Sequence, residues 1–165
     1  MIILGIDPGT AVTGFGVIEV ISNKLKLVDF GIIKTDRKHK LPLKLKTIYD
    51  GISEIIATHK PDYMAIEDVF YSENVKTALV IGHARGVSIL AAINREIPVG
   101  EYSPREVKQS VVGNGAAAKE QVAYMVKKIL NLDGTPEPLD ASDALGIAIC
   151  HFNRHNRDAK FKVVK

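Results

Sequence analysis

Four acidic residues occupy positions from which their carboxylates could converge. Asp7 ends the apolar run IILGI before a Pro-Gly turn, and Glu67 ends a second short strand, DYMAIE. Asp140 and Asp143 are spaced i and i+3, so one face of a helix presents both. Carboxylates that converge without matching cations repel one another, and Mg²⁺ or Mn²⁺ relieves that repulsion. Two such ions about 4 Å apart activate water and stabilise the leaving oxygen in phosphodiester hydrolysis.

Each acid also has a purely structural interpretation. Asp7 before Pro-Gly could cap the turn through an Asx hydrogen bond. Asp140 and Asp143 lie in the first turns of a helix, where negative charge favours the helix dipole. Asp68 follows Glu67, and strand alternation points the two to opposite faces. We choose Glu67 because it completes the apolar run of its strand. The set of four, rather than any single member, indicates a metal site.

Hydrophobic periodicity predicts the elements that must position these acids. Strands are predicted at the N-terminus and over residues 12–19, 25–35, 62–67 and 97–102, and short turns predict an antiparallel meander of the first three. Helices are predicted over residues 41–56, 72–94, 104–112, 116–130 and 140–153, and the third begins with Ser103 as its N-cap and Pro104 in its first position. This order predicts an α/β fold in one domain over residues 1–165, with a mixed five-stranded sheet flanked by helices. If the first and fourth strands are neighbours, their ends bring Asp7 and Glu67 together, and the final helix adds the acidic pair.

The helix predicted over residues 72–94 carries a stripe suited to helix packing. The predicted apolar face consists of Leu79, Gly82, Gly86, Ile89, Leu90 and Ile93. Gly82 and Gly86 lie one turn apart, where small residues let another helix approach closely.

Composition excludes several classes of protein. The chain has 165 residues, 46% hydrophobic and 25% charged, which is typical of a globular protein. No continuous apolar run reaches the roughly 20 residues of a membrane span, and the N-terminus lacks the features of a signal peptide. Cys150 is the only cysteine, which excludes an internal disulfide framework and a Cys-based zinc site, so we expect a cytoplasmic protein.

Net charge is only +3, but the basic residues are clustered. They concentrate in residues 34–46 and 154–165, a distribution that a phosphate backbone would exploit. A solvated lysine-rich surface is the alternative for either cluster. The tail from about residue 154 resembles no motif that we can assign, and disorder is one alternative for it.

Four motifs in order resemble those of the bacterial RuvC Holliday junction resolvases: GIDPGT, IEDVFYSENVKTALVIGHARG, EYSPREVKQSVVGNGAAAKEQV and DASDALGIAICH. The resemblance extends over nearly the whole chain. It implies an RNase H-like fold, a homodimer that binds a four-way DNA junction, and cooperation with the RuvA–RuvB branch-migration complex. It also implies symmetric nicking of opposing strands with two Mg²⁺ ions per subunit, for which Mn²⁺ substitutes. The implied products carry 5′-phosphate and 3′-hydroxyl ends.

By motif position, the resemblance also implies residue roles. The four acids described above match the family's catalytic, metal-binding carboxylates. The implied DNA-binding residues are Phe70 as a wedge at the junction centre, its neighbour Tyr71, and Lys108 and Lys119 near the scissile phosphate. The helix that bears the two glycines matches the dimer interface. The motifs leave open whether Asp68 or His151 assists the metal site.

Two other functions compete with this interpretation. GIDPGT also resembles the first phosphate-binding loop of actin-like ATPases and sugar kinases, but those proteins need a second, similar domain, which we do not expect in 165 residues. A non-catalytic junction-binding protein would keep the basic clusters, yet a protein that only binds phosphates gains nothing from clustered carboxylates. We therefore expect a structure-selective endonuclease.

Overall fold

The computed structural model describes residues 1–68 and 75–161, with the backbone alone for residues 157–161. The strands in this part of the chain are β1 (Ile2–Asp7), β2 (Val12–Ile21), β3 (Lys24–Lys34), β4 (Tyr63–Glu67) and β5 (Val99–Tyr102). The helices are α1 (Leu41–His59), α2 (Val75–Ile93), α3 (Pro104–Val112), α4 (Lys119–Ile129) and α5 (Leu139–Phe161). Each predicted strand and helix is confirmed in type. Phe70 and Tyr71 lie outside the described residues.

The strands form one mixed sheet in the order β3-β2-β1-β4-β5. β1 pairs antiparallel with β2, and β2 pairs antiparallel with β3. The turn between β2 and β3 consists of Ser22 and Asn23, whose positive φ angles of 49° and 63° suit a tight hairpin. β4 lies parallel to β1, with Ile66 opposite Ile6, and β5 lies parallel to β4. The antiparallel meander and the adjacency of the first and fourth strands are both confirmed.

Strand alternation divides the core into two layers. Ala65 packs in the layer that contains α3, α4 and α5, whereas Ile66 packs in the layer that contains α1 and α2. Gly5 also faces α5, at a very short distance from its backbone. Since side chains two residues apart share a face of a strand, Asp7 and Glu67 belong to the α5 side of the sheet.

The last helix extends beyond its predicted end at residue 153, and α5 continues to Phe161. No glycine or proline lies in residues 154–161. The Asn153 amide donates to the Ser110 carbonyl oxygen at 3.3 Å, and Arg154 forms an ion pair with Glu106. These two contacts hold α5 against α3 at the point where the sequence predicts its end.

α2 packs on the sheet with its small residues and leaves most of its predicted apolar face exposed. The buried residues of α2 are Ala84, Ser88, Ala91 and Ala92. The larger apolar side chains of the predicted face, Leu79, Leu90 and Ile93, are 62%, 50% and 53% exposed. A Cβ at Gly82 or Gly86 would meet no atom of the described chain within 4 Å. Small residues therefore bring α2 onto the sheet, and most of its predicted apolar face points outward.

The same helix has the length and composition of a membrane span, with 19 residues and a mean hydropathy of 1.3. It is the one such helix among the described residues. The hydropathy of α2 is high because its outward face is apolar. Arg85, near the middle of α2, forms ion pairs with the strand-end residues Asp68 and Glu101, as expected of a helix packed on a sheet.

Candidate active site

β1 and β4 place Asp7 and Glu67 at adjacent strand ends. Ile6 lies opposite Ile66 in the parallel pairing, so the acid that follows each isoleucine ends its strand at the same edge of the sheet. Both acids are partly buried and lie on the side that α5 covers. The geometric prediction for this pair is confirmed.

Glycines in β1 and β2 let α5 lie close enough to add its two acids. A Cβ at Gly5 would stand 2.0 Å from the Ala144 carbonyl oxygen, and a Cβ at Gly14 would stand 2.1 Å from the Asp140 carbonyl oxygen. Any side chain at either position would push the first turns of α5 away from the sheet. Sequence reasoning missed this role, although a glycine inside a strand run is a signal of close backbone approach.

The charges of the four acids act on one another. Burial, followed by the charges of Glu67 and Asp143 and, more weakly, Asp140, raises the pKa of Asp7 from 3.8 to about 8. Burial and then Asp143 raise the pKa of Glu67, while Lys119 acts in the opposite direction. A carboxyl group that burial and neighbouring charges keep protonated is one that a bound divalent cation would ionise. The electrostatics thus place the acids of the strands and of α5 in one cluster.

Lys119 is the first residue of α4 and contacts this cluster directly. Its ammonium donates to Asp143 Oδ2 at 2.8 Å. This hydrogen bond, followed by the charges of Asp143, Asp7 and Glu67, raises the pKa of Lys119, which therefore stays charged. Within the described residues, no three acidic, histidine or cysteine side chains are close enough to enclose a metal ion. In this arrangement the Lys119 ammonium compensates the negative charge of Asp143.

A cleft of about 200 Å³ opens beside the acids. It is lined by Glu67, Pro104, Val107, Lys108, Lys119, Val122 and Asp143. The predicted N-cap of α3 holds one wall: the Ser103 hydroxyl accepts from the Glu106 backbone N–H at 3.3 Å, and the Glu106 carboxylate accepts from the Ser103 N–H. The structure therefore brings both predicted lysines to the acids, and their contact with DNA stays a prediction.

Asp68 and His151, which the sequence left open, lie away from the cluster. Asp68 points to the opposite face of the sheet, where its Oδ1 is 3.1 Å from Nη2 of Arg85. His151 is buried, not on the helix surface where a lone histidine is more common. Its Nδ1 forms a hydrogen bond with the Tyr102 hydroxyl at 2.9 Å, and its ring centroid lies 5.0 Å from that of Tyr63. The structure therefore brings neither residue into the carboxylate cluster.

Comparison with known proteins gives consistent matches over nearly the whole chain. The family model described as Crossover junction endodeoxyribonuclease RuvC matches residues 3–151. A curated protein of that name from Desulforamulus reducens is 51% identical over 92% of this chain and 93% of its own. One from Aeromonas salmonicida is 52% identical over 98% of this chain and 91% of its own. A solved structure described as Thermus thermophilus RuvC in complex with Holliday junction substrate is 33% identical, with a TM-score of 0.90 over 96% of each chain.

The sheet order, with carboxylates at the ends of β1 and β4, is that of an RNase H-like nuclease. The chain belongs to the RuvC family of crossover junction endodeoxyribonucleases. It is accordingly a hydrolase of phosphodiester bonds, from a family whose nucleases depend on divalent metal ions. The fold class and the family resemblance predicted from the sequence are confirmed.

Proposed function

We propose that this protein resolves four-way (Holliday) DNA junctions by nicking two opposing strands symmetrically, with residues 1–165 acting as one nuclease domain. The observation that carries the proposal is the cluster of Asp7, Glu67, Asp140 and Asp143, whose mutual repulsion contributes to the raised pKa of Asp7. The relative solved with a Holliday junction substrate supports the choice of DNA. The expected products carry 5′-phosphate and 3′-hydroxyl ends that a ligase can seal.

The donor set of the cluster fits hard divalent cations. Carboxylates supply only oxygen ligands, which suit Mg²⁺ and Mn²⁺, and the repulsion among them favours a bound cation. We infer two Mg²⁺ ions per subunit, with Mn²⁺ as a substitute, held by Asp7, Glu67, Asp140 and Asp143. When bound, such ions activate water and stabilise the leaving oxygen of an in-line displacement.

The protein's own groups position the substrate and neutralise its charge. The strand ends and the glycine-seated α5 hold the carboxylates in place before DNA arrives. Lys119 stays charged beside Asp143, so its ammonium is available to stabilise negative charge that develops on the phosphoryl oxygens. Lys108 borders the same cleft and is expected to contact the DNA backbone. Phe70 and Tyr71 are expected to stack on bases at the junction centre.

A homodimer would present two such sites to the two scissile strands. The outward face of α2 supports this proposal, because Leu79 and Leu90 are at least half exposed and Gly82 and Gly86 border an open groove. The same face of a second copy would cover this apolar surface in a self-complementary contact. Cooperation with the RuvA–RuvB complex and a cytoplasmic location remain predictions from the family resemblance.

Asp7→Asn separates a nuclease from a protein that only binds junctions. The wild-type protein should nick a synthetic four-way junction in Mg²⁺ and not in EDTA. The Asp7→Asn variant should bind the junction in a gel-shift assay without nicking it. Asp133→Asn, which changes an exposed acid in the loop before α5, is the matched control and should cleave normally. Binding by the wild type without cleavage in Mg²⁺ or Mn²⁺ would support the binding protein instead.

A further inference from the structure

Arg85 reaches from α2 to the ends of two strands. Its Nη2 lies 3.1 Å from Asp68 Oδ1 at the end of β4 and also contacts Glu101 Oε2 on β5. The arginine side chain is only 21% exposed, so this guanidinium is largely removed from water between two carboxylates. Arginine suits such a position because it remains charged and presents several donors in a fixed fork.

Asp68, one of the two acids that Arg85 contacts, directly follows Glu67 in the chain. The pairing of β4 with β1 extends to Ile66, so beyond that residue the strand end relies on β5. There the Asp68 N–H donates to the Tyr102 carbonyl oxygen at 2.8 Å. Strand alternation sends the Asp68 side chain to the α2 face and the Glu67 carboxylate to the α5 face. The end of β4 is therefore held by Arg85 on the α2 face of the sheet and presents Glu67, a proposed metal ligand, on the α5 face.

Stability alone does not explain an arginine here. Its Nε is buried and has no hydrogen-bond partner among the described residues. A buried donor without a partner destabilises the folded chain, whereas an apolar side chain of similar volume would carry no such cost. The two ion pairs that Arg85 does form both end on strand termini beside the carboxylate cluster.

We propose that Arg85 is a positioning residue that fixes Glu67 through Asp68 and couples α2 to the active site. This inference rests on the proposed nuclease function and deepens it. Arg85 lies next to Gly86 on the outward face of α2 and next to Ala84 on the buried face. A shift of α2 on dimer formation would therefore move the strand end that carries Glu67, through contacts that are continuous in the structure.

The test compares Arg85→Gln, Arg85→Lys and Asp68→Asn for junction binding in EDTA and single-turnover cleavage in Mg²⁺. Arg85→Gln should bind the junction and self-associate within about two-fold of wild type, yet cleave about 10- to 100-fold more slowly, because small displacements of catalytic groups cost rates of that order. Arg85→Lys should recover part of the rate. Asp68→Asn should also slow cleavage, and the double variant should be no slower than the slower single variant, since both act through one contact.

Arg95→Gln, which changes an exposed arginine just after α2, is the matched control and should cleave at the wild-type rate. Cleavage by Arg85→Gln at the wild-type rate would overturn the proposal. So would a loss of junction binding in proportion to the loss of cleavage, because that pattern indicates direct DNA contact. If Arg85→Gln fails to fold, Asp68→Asn carries the same test. A wild-type protein that does not nick junctions refutes the proposed function itself, whatever the variants do.

Discussion

Asp7→Asn should stabilise the metal-free protein while it abolishes cleavage. In the folded chain, burial and then the charges of Glu67 and Asp143 raise the pKa of Asp7 from 3.8 to about 8. The folded state therefore keeps a proton that the unfolded state releases as the pH rises above 4. Below pH 4 the Asp7 carboxyl group is protonated in both states and does not lower the free energy of unfolding. Between pH 4 and pH 8 it lowers that free energy increasingly. Over the whole interval the difference corresponds to about 6 kcal/mol, which is the upper limit for the gain of the variant at pH 8.

Urea unfolding in EDTA at pH 5, 6.5 and 8 measures this gain. The free energy of unfolding of Asp7→Asn should exceed that of wild type by a small amount at pH 5 and by several kcal/mol at pH 8. Added Mg²⁺ should narrow the gap, because only the wild type keeps all four carboxylates as ligands. Asp133→Asn should show no such gain at any of these pH values. An Asp7→Asn variant no more stable than wild type at pH 8, or a gain independent of pH, would refute the reasoning.

Three further substitutions test the surroundings of the cluster. Lys119→Met removes the ammonium that pairs with Asp143, so single-turnover cleavage should fall about 10²- to 10³-fold while gel-shift affinity changes little; an unchanged rate would exclude charge neutralisation by this lysine. Gly14→Ala places a methyl group 2.1 Å from the Asp140 carbonyl oxygen. It should lower the free energy of unfolding by about 1–3 kcal/mol and slow cleavage, and full activity would show that α5 need not lie so close. Gly82→Leu adds a side chain where the described chain has open space. It should leave monomer stability intact in urea yet weaken self-association in sedimentation equilibrium, whereas an unchanged dimer would place the interface elsewhere.

The positions of the strand-end acids could be predicted because each follows a short apolar run. Asp7 and Glu67 each end such a run, and a carboxylate there stands out in the sequence. Local chemistry also predicted the start of α3, where Ser103 and Pro104 form a cap that the structure confirms. These features depend on neighbouring residues alone, so the sequence contains enough information to predict them.

Features that depend on distant contacts could not be predicted in the same way. The hydrophobic pattern of α2 indicated the face that bears Gly82 and Gly86, but it did not show that the opposite, small residues such as Ala84 and Ser88 pack on the sheet. The buried position of His151 depends on Tyr102, which lies far away in the chain. α5 continues past residue 153 because no breaker residue marks the predicted end, and Asn153 and Arg154 contact α3 there.

Mapping of nicks on a synthetic four-way junction tests whether this protein resolves Holliday junctions. Each of the four strands is end-labelled in turn, and the protein is added with Mg²⁺ and then with EDTA. We predict paired nicks at symmetric positions in two opposing strands, absent in EDTA and sealed by DNA ligase without further processing. Binding without nicks in Mg²⁺ or Mn²⁺ on junctions of varied sequence, or nicks without symmetry that occur equally on linear duplex, would contradict it.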